Sequence, residues 1–267
     1  MELNIPNELK GKELSAYLVQ KMDALTDSIC QDPKELEKFV KLWDSSLGMH
    51  TYSINNTILA WCQYPKVSML AGFRKWQKLG RTVSKGERAI KVLAPLTRKI
   101  KDKENDEEAY IISGFRYVNV FDVNQTEGEN LDFGHSDKVK GDISFDDVKK
   151  ISPLPVIVEY SGTSNGNVNK DRILVAPKDN EAAMAATLIH EIAHYKLGHI
   201  GSDMDKETKE VEAETVSFIV CSYLSLDNQK SQYYVGAWNG NHEKLKGRGK
   251  RIISTAESII RDIQSLS

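Results

Sequence analysis

The chain has 267 residues, of which 40% are hydrophobic and 28% charged, and its formal net charge is −2. This composition is ordinary for a globular protein with one large domain or two small ones. No apolar run is long enough to span a bilayer, and the N-terminal sequence MELNIPNELKGKEL lacks a basic start followed by an apolar stretch. We therefore expect a cytoplasmic protein without a membrane partner.

The first part of the chain predicts helices followed by antiparallel strands. Apolar residues recur at helical spacing in KELSAYLVQKMDALTDSI. Asp32 followed by Pro33 is typical of the start of a second helix, and Ser53 can cap a third helix that Pro65 would end. The β-branched and aromatic runs AIKVLAPLTRKI and EAYIISGFRYVNVFDV then predict antiparallel strands, with the polar stretch KDKENDEE as their connecting loop.

The second part predicts a linker, two short strands and three helices. Residues 129–147 lack apolar periodicity and are interpreted as an interdomain linker or a long ordered loop. PVIVEYS and RILVAP are strand candidates. Asn180 can cap a helix through EAAMAATLIHEIAHYKLG that Gly198 would end, and further helices are predicted in KEVEAETVSFIVCSYL and RIISTAESIIRDIQSL. The predicted fold class is α+β, with an N-terminal domain over residues 1–128 and a C-terminal domain over residues 148–267.

The small net charge conceals an uneven distribution of charged residues. Between Lys66 and Lys103 there are twelve lysines and arginines but only two acidic residues. A basic block beside an acidic remainder is typical of a protein that presents one surface to a polyanion.

The cysteine pattern argues against a disulfide framework and against a cysteine-based zinc site. The chain has three cysteines, an odd number, and Cys30, Cys62 and Cys221 lie far apart in the sequence. Each stands in an apolar or helical context, so we expect all three to be buried.

The segment HEIAH in the second part of the chain is an HExxH motif. On a helix, His190 and His194 lie one turn apart on the same face, where their imidazoles can hold a zinc ion at about 2.0–2.1 Å. Glu191 projects to the neighbouring side and can act as general base towards a metal-activated water. Helical histidine pairs can also be satisfied core residues, but a glutamate between them would be costly to bury. We therefore predict a zinc site here, which could also accept Mn²⁺, Co²⁺ or Ni²⁺.

A catalytic zinc site needs a third protein ligand, and EVEAE supplies candidates. Glu210 and Glu214 lie one turn apart on one helix face, while Glu212 points elsewhere. One of the pair can bind the metal while the other hydrogen-bonds a ligating histidine. His199 is a rival ligand, although its spacing is one residue short of the metzincin pattern. These glutamates could also simply form a solvated helix face.

HEIAHYKLGH followed by EVEAETVSFIV resembles the ImmA/IrrE-like metallopeptidases, a gluzincin-type group. In that family the third ligand is the glutamate three places before the alanine of an E-x-x-A-[DNE] element. That position is Glu210 here, and Glu214 takes the place of the residue that hydrogen-bonds a ligand. The resemblance implies a gluzincin-like metallopeptidase domain around the HExxH helix.

The stretch YSINNTILAWCQYPKVSMLAGFRKWQKLGRTVSKGERAIKVLAP, followed by GFRYVNVFDVNQTEG, resembles the N-terminal domain of ArdC-type antirestriction proteins. That domain is associated with binding of single-stranded DNA and is often followed by an HExxH metallopeptidase domain. Such proteins travel on conjugative plasmids and transposons, where they are thought to shield incoming DNA from restriction. The resemblance implies the same function and partner for this chain.

Sequence-independent binding of a single strand needs a cationic groove and exposed aromatic faces. We predict that Trp76 contacts DNA, and that Trp61 and Phe73 are core residues. Lys99, Lys101 and Lys103 are interpreted as a solvated hairpin tip. The predicted phosphate contacts are Arg74, Lys75, Lys78, Arg81, Lys85, Arg88 and Lys91.

These observations leave three functional hypotheses. The first is a two-domain antirestriction-type protein that binds single-stranded DNA and carries a zinc site for metal-assisted peptide hydrolysis. The second is an ImmA-like regulatory protease that cleaves a protein substrate such as a repressor. The third is a DNA-binding module whose metal is structural.

Overall fold

The computed structural model describes residues 2–45, 52–101, 108–129, 131, 143–160, 164–226 and 242–266. The chain divides into two compact units. Unit 1 comprises Met1–Leu25 and Ser45–Phe133, and unit 2 comprises Thr26–Asp44 and Gly134–Ser267. The architecture is α+β, as predicted. None of the helices in the described ranges is long and apolar enough to cross a membrane.

Unit 1 contains short helices and antiparallel strands, and helix α1 begins in it. Its sheets have the orders β1-β4-β3 and β2-β5, and all pairings within them are antiparallel. The predicted pair of long strands is confirmed as the hairpin β3–β4, whose connection at 102–107 lies outside the described residues. The elements are α1 (Gly11–Gln31), α3 (Ile54–Gln63), β1 (Leu70–Ala71), α4 (Phe73–Lys78), β2 (Arg81–Val83), β3 (Ile90–Lys101), β4 (Glu108–Asp122) and β5 (Thr126–Gly128).

Helix α3 covers part of the outer edge of β3 with two side-chain amides. Its start is capped as predicted, because the Ser53 side chain accepts a hydrogen bond from the Asn56 N–H. The Asn56 amide pairs with both backbone groups of Leu93 at 2.8 Å. Two turns further on, the Gln63 amide pairs with both backbone groups of Lys91, at 2.8 and 2.9 Å. These amides satisfy strand groups that would otherwise form an open edge.

Arg81 joins β2 to β5 through its side chain. Its Nε donates to Thr126 Oγ1 at 2.7 Å, and its Nη2 donates to the Thr126 carbonyl at 2.7 Å. Its Nη1 reaches the carbonyls of Gly128 and Glu129. The guanidinium therefore donates its hydrogen bonds to β5 and the residue that follows it.

Unit 2 places helices around a small mixed sheet of order β6-β8-β7, in which β6 is parallel and β7 antiparallel to β8. Strand β7 was missed from the sequence, because its Gly-Asn composition is typical of a loop. Helix α6 is capped by Asn180 as predicted. The elements are α2 (Pro33–Ser45), α5 (Phe145–Lys150), β6 (Val156–Val158), β7 (Gly166–Val168), β8 (Ile173–Val175), α6 (Glu181–Lys196), α7 (Lys206–Tyr223) and α8 (Gly249–Gln264).

The two units differ from the predicted domains in the placement of residues 26–44. Asp27 accepts hydrogen bonds from the N–H groups of Gly247 and Gly249 at 3.0 and 2.7 Å. The ring of Trp43 packs on Tyr223 with centroids 4.8 Å apart. These contacts with later parts of the chain bring residues 26–44 into unit 2. Each compact unit therefore consists of two separate stretches of the sequence. The linker predicted at 129–147 lies largely outside the described residues, and its last residues begin α5.

The three cysteines are all described, and they are buried without a disulfide, as predicted. Burial also raises the pKa of the Cys30 thiol far above its ordinary value, an effect to which the Asp27 charge adds. These thiols are therefore packing residues.

The role of Arg81 yields a stability prediction. We expect Arg81→Ala to lower the free energy of unfolding by about 2 kcal/mol, because charge-assisted hydrogen bonds are lost and the part-buried carbonyl of Thr126 loses a donor. Urea denaturation followed by circular dichroism would measure this. Lys85→Ala, which removes an exposed cation four residues later, is the matched control and should change stability by less than about 0.5 kcal/mol. Equal effects of the two variants would contradict the structural role.

Candidate metal centre

Helix α6 holds the two histidines of the HExxH motif next to each other. Residues one turn apart on a helix lie about 5–6 Å apart at Cβ, and here the rings of His190 and His194 have centroids 4.7 Å apart. Their Nε2 atoms lie 3.0 Å apart. Both rings are largely shielded from solvent, with side-chain exposures of 16% and 11%.

Helix α7 brings Glu210 to these two nitrogens. Glu210 Oε2 lies 3.6 Å from His190 Nε2 and 3.7 Å from His194 Nε2. In a tetrahedral site with metal–ligand bonds of about 2.0–2.1 Å, neighbouring ligand atoms are about 3.3 Å apart. The three observed separations bracket that value. The donor set of two imidazoles and one carboxylate therefore fits a tetrahedral divalent cation.

Glu214 stands on the far side of His190. Its Oε2 lies 3.1 Å from His190 Nδ1, the ring nitrogen that faces away from Glu210. This approach lacks hydrogen-bond geometry, and the carboxylate acts on the imidazole through its charge, which raises the pKa of His190. The structure thus separates the two glutamates, which the spacing alone had left interchangeable.

Glu191 is buried beside the edge strand β7 and stands outside the set of ligand atoms. A Cβ added to Gly166 would lie 2.6 Å from Glu191 Oε1 and 2.8 Å from Thr187 Cγ2. Gly166 is therefore required for space, and its lack of a side chain leaves room for the carboxylate. Sequence reasoning missed Gly166, because only the fold shows which glycine faces the motif.

The ionisation of the site favours a bound cation. Burial opposes protonation of His190, but its contacts with Glu210 and Glu214 outweigh this and raise its pKa to about 9. The two histidines hold the pKa of the Glu210 carboxyl well below its ordinary value. Without a metal, the carboxylates thus retain a proton on His190. A divalent ion would take the place of that charge.

His199 does not join the ligand set and lies behind it. Its Nδ1 faces His194 Nδ1 at 2.9 Å, and its Nε2 lies 2.8 Å from Glu212 Oε2. Burial lowers the pKa of His199. Glu212 is completely buried, although its helical position had indicated only that it points away from the metal. The signal that could have revealed this pair is a glutamate inside an otherwise apolar helix face.

The predicted DNA-binding residues fall into two groups. Arg74, Lys75 and Lys78 are exposed on α4, and Lys85 and Arg88 are exposed in the following turn. Lys91 is half-buried, and its Nζ lies 3.4 Å from the Ala89 carbonyl. The exposed group can reach a polyanion.

Two of the predictions for the basic block are wrong, those for Trp76 and Phe73. Trp76 is completely buried, and its Nε1 donates to the Phe121 carbonyl at 3.0 Å, so its ring cannot stack on a base. Arg81 is engaged with β5 through its guanidinium. Phe73, expected in the core, is 46% exposed. Residues three apart on a helix lie on neighbouring parts of one face, and the six residues of α4 are too few for periodicity to tell which of them is covered. Trp61 is half-buried.

Comparison with known proteins agrees with this α+β architecture. Residues 12–121 match the family model for the N-terminal domain of the anti-restriction factor ArdC. Crystal structures of the antirestriction protein ArdC from plasmid R388, one metal-free and one with Mn(II), each give a TM-score of 0.54. Sequence identities are 20% and 19%, over 91% of this chain and 98% and 97% of those chains.

An uncharacterized protein of Bacillus anthracis is 22% identical over 91% of this chain. The chain spans about half the length of that relative, since the match covers 50% of it.

The fold defines an α+β protein in which an antiparallel β-hairpin unit accompanies a helical unit with a two-histidine, one-glutamate cluster. Residues 12–121 thus match the N-terminal domain of the anti-restriction factor ArdC, and the chain shares the fold of the R388 protein.

The contact between Gly166 and Glu191 yields a second prediction. Gly166→Ala should destabilise the protein by about 1–3 kcal/mol, because the added methyl overlaps the carboxylate. Combining it with Glu191→Ala should recover part of this loss, with a coupling of about 1 kcal/mol in a double-mutant cycle. Gly72→Ala, where an added Cβ meets nothing within 4 Å, is the control. Strict additivity of the Gly166 and Glu191 changes would contradict the close approach.

Proposed function

We propose that this chain is an antirestriction protein of a plasmid or another mobile element. In this proposal unit 1 binds single-stranded DNA, and unit 2 binds a divalent metal ion, zinc by first choice, at His190, His194 and Glu210. The match of residues 12–121 to the ArdC N-terminal domain carries the proposal. The R388 protein of the same fold is described as an antirestriction protein and has been crystallised with Mn(II).

Helix α4 supports the DNA-binding part of the proposal. Arg74, Lys75 and Lys78 lie within one and a half turns and are exposed. Their side chains form no ion pair or hydrogen bond with any residue in the ranges that the structure describes. Phe73, beside them, offers an exposed ring on which a base can stack. Cations and an aromatic face are the two elements of sequence-independent binding to single strands.

The outer part of the β3–β4 hairpin offers the same combination. Three apolar side chains are exposed there, Leu96, Ile112 and Phe115, at 43%, 61% and 43%. Arg98, Lys99 and Arg116 are exposed among them. No acidic residue occurs among the described side chains of this part, 95–99 and 111–116. A two-stranded ribbon with cations and a phenylalanine is suited to a nucleic-acid strand.

The DNA-binding proposal is tested by the salt dependence of affinity for an unstructured oligonucleotide. We expect the wild-type logarithmic slope to change by about 0.7 for each phosphate neutralised. The triple variant Arg74→Ala/Lys75→Ala/Lys78→Ala should therefore reduce the slope by about 2. Phe73→Ala should weaken binding by about 1–3 kcal/mol with little change in slope. Fluorescence anisotropy at several salt concentrations measures both quantities.

A matched control comes from α2, where Lys34, Lys38 and Lys41 are exposed. Two of them pair with neighbouring glutamates, Lys38 with Glu35 and Lys41 with Glu37. Replacing the three lysines by alanine changes the net charge equally and should leave the slope unchanged. If both triple variants lower the slope alike, the protein attracts DNA only through its total charge, and α4 is not the contact surface.

The geometry of unit 2 supports metal-assisted hydrolysis as its chemistry. A zinc ion in such a site supplies Lewis acidity that polarises a carbonyl group and acidifies water. Glu191 has the role of general base: its carboxylate accepts the proton of the attacking water and passes it to the leaving amine. Its burial beside Gly166 keeps the carboxylate close to the ligands without making it one.

Metal binding is tested with zinc by competition against a chromophoric chelator. Glu210→Ala should lose more affinity than Glu214→Ala, for which about 10–100-fold is expected because it removes only a partner of a ligand. Glu207→Ala, one turn earlier on α7 and 66% exposed at its side chain, should bind zinc like the wild type. Equal behaviour of the Glu210 and Glu207 variants would overturn the assigned ligand.

The same site can separate the antirestriction proposal from a regulatory protease. Glu191→Gln preserves the ligands and removes the base. If protection of incoming DNA persists in this variant, antirestriction depends on DNA binding and not on hydrolysis. Loss of protection would favour cleavage of a protein substrate as the function.

A further inference from the structure

A buried line of hydrogen bonds lies behind the metal ligand His194. His194 Nδ1 faces His199 Nδ1 at 2.9 Å, and His199 Nε2 faces Glu212 Oε2 at 2.8 Å. The side chains of His199 and Glu212 are 2% and 0% exposed. His199 and Glu212 can both ionise, yet both are shielded from water. Neither contacts the Nε2 atom of His194, which faces Glu210.

The order of protons along this line is set by the ligand at its end. A metal bound to His194 Nε2 requires the proton of that neutral ring to be on Nδ1. Only one proton fits between two nitrogens 2.9 Å apart, so His199 must accept at Nδ1. The proton of His199 then lies on Nε2 and is donated to the Glu212 carboxylate. Each group thus fixes the tautomer of the next.

Two arginines keep the buried carboxylate charged. Arg248 Nη1 lies 3.1 Å and Arg251 Nε 3.4 Å from Glu212 Oε1, the oxygen not used by His199. An uncompensated carboxylate in this position would be costly, whereas one with an imidazole and two guanidinium partners is tolerated. Despite its burial, these partners hold the pKa of the Glu212 carboxyl below its ordinary value. Arg251 also donates to the carbonyl of Leu197, at the end of α6.

We infer that Glu212 and His199 are positioning residues that hold His194 in the orientation and tautomer that bind the metal. His190 has a carboxylate, Glu214, directly behind it. His194 has an equivalent carboxylate one imidazole further away, and the arginines around α8 anchor it. This inference rests on the metal site proposed above, and it extends that site to two side chains that touch no metal.

The test compares two substitutions of His199 in the full-length protein. His199→Phe fills the space of the ring but offers no acceptor, so the Nδ1–H of His194 loses its partner. His199→Asn keeps a short side chain whose oxygen can accept near the former Nδ1. We expect the Phe variant to bind zinc about 10–100-fold more weakly than the wild type. The Asn variant should recover most of this loss, which a merely structural role would not predict.

Nitrogen NMR of the histidine rings gives a readout that needs no variant to fold. In the zinc-loaded wild type we expect the proton of His194 on Nδ1 and that of His199 on Nε2. A proton on His199 Nδ1, or equal zinc affinity of the wild type and the Phe variant, would overturn the inference. If the wild type binds no zinc, the proposed metal site itself fails and the inference falls with it. That outcome is distinguishable from zinc binding that ignores His199.

Discussion

The packing of α7 on α6 decides where every ionisable group of the metal centre lies. Glu210, Glu212 and Glu214 occur within five residues of α7, and each serves a different atom of the histidine cluster. Residues on a helix advance by about 100° each, so a rotation of α7 by a fraction of that angle would move each glutamate away from its partner. Burial of the apolar side chains of α7 fixes its rotation. These side chains include Val211, Ala213, Val216 and Ile219.

This arrangement buries ionisable groups, and charged or polar partners surround them. Glu212 is completely buried, yet His199, Arg248 and Arg251 surround it. The histidine and glutamate ligands lie close enough that, in the metal-free protein, a proton on His190 balances the carboxylates. Such networks stabilise one arrangement strongly only when every member has its partner. The same contacts hold His190, His194 and Glu210 next to one another.

In unit 1, polar side chains likewise find partners, which are mostly backbone groups. Asn56 and Gln63 satisfy part of the edge of β3. Asp122, completely buried, accepts hydrogen bonds from the N–H groups of Ser68 and Met69 at 2.6 and 2.9 Å. Arg81 uses its donors on β5 in the same way. The basic block therefore contains residues whose donors serve the fold, such as Arg81, and residues that face solvent, such as Lys75 and Lys78.

Much of this protein was determined by local sequence. The caps at Ser53 and Asn180, the long hairpin and the one-turn spacing of His190 and His194 depend on neighbours within a few residues, and the sequence predicted them. The burial of Trp76, the exposure of Phe73, the hydrogen bonds of Arg81 to β5 and the space beside Gly166 were decided by tertiary structure. So was the line from Glu212 through His199 to His194, which joins residues of α7, the turn after α6 and α6. Such features depend on which surfaces pack against each other. The spacing of residues along one helix or strand indicates only on which side of that element a side chain lies.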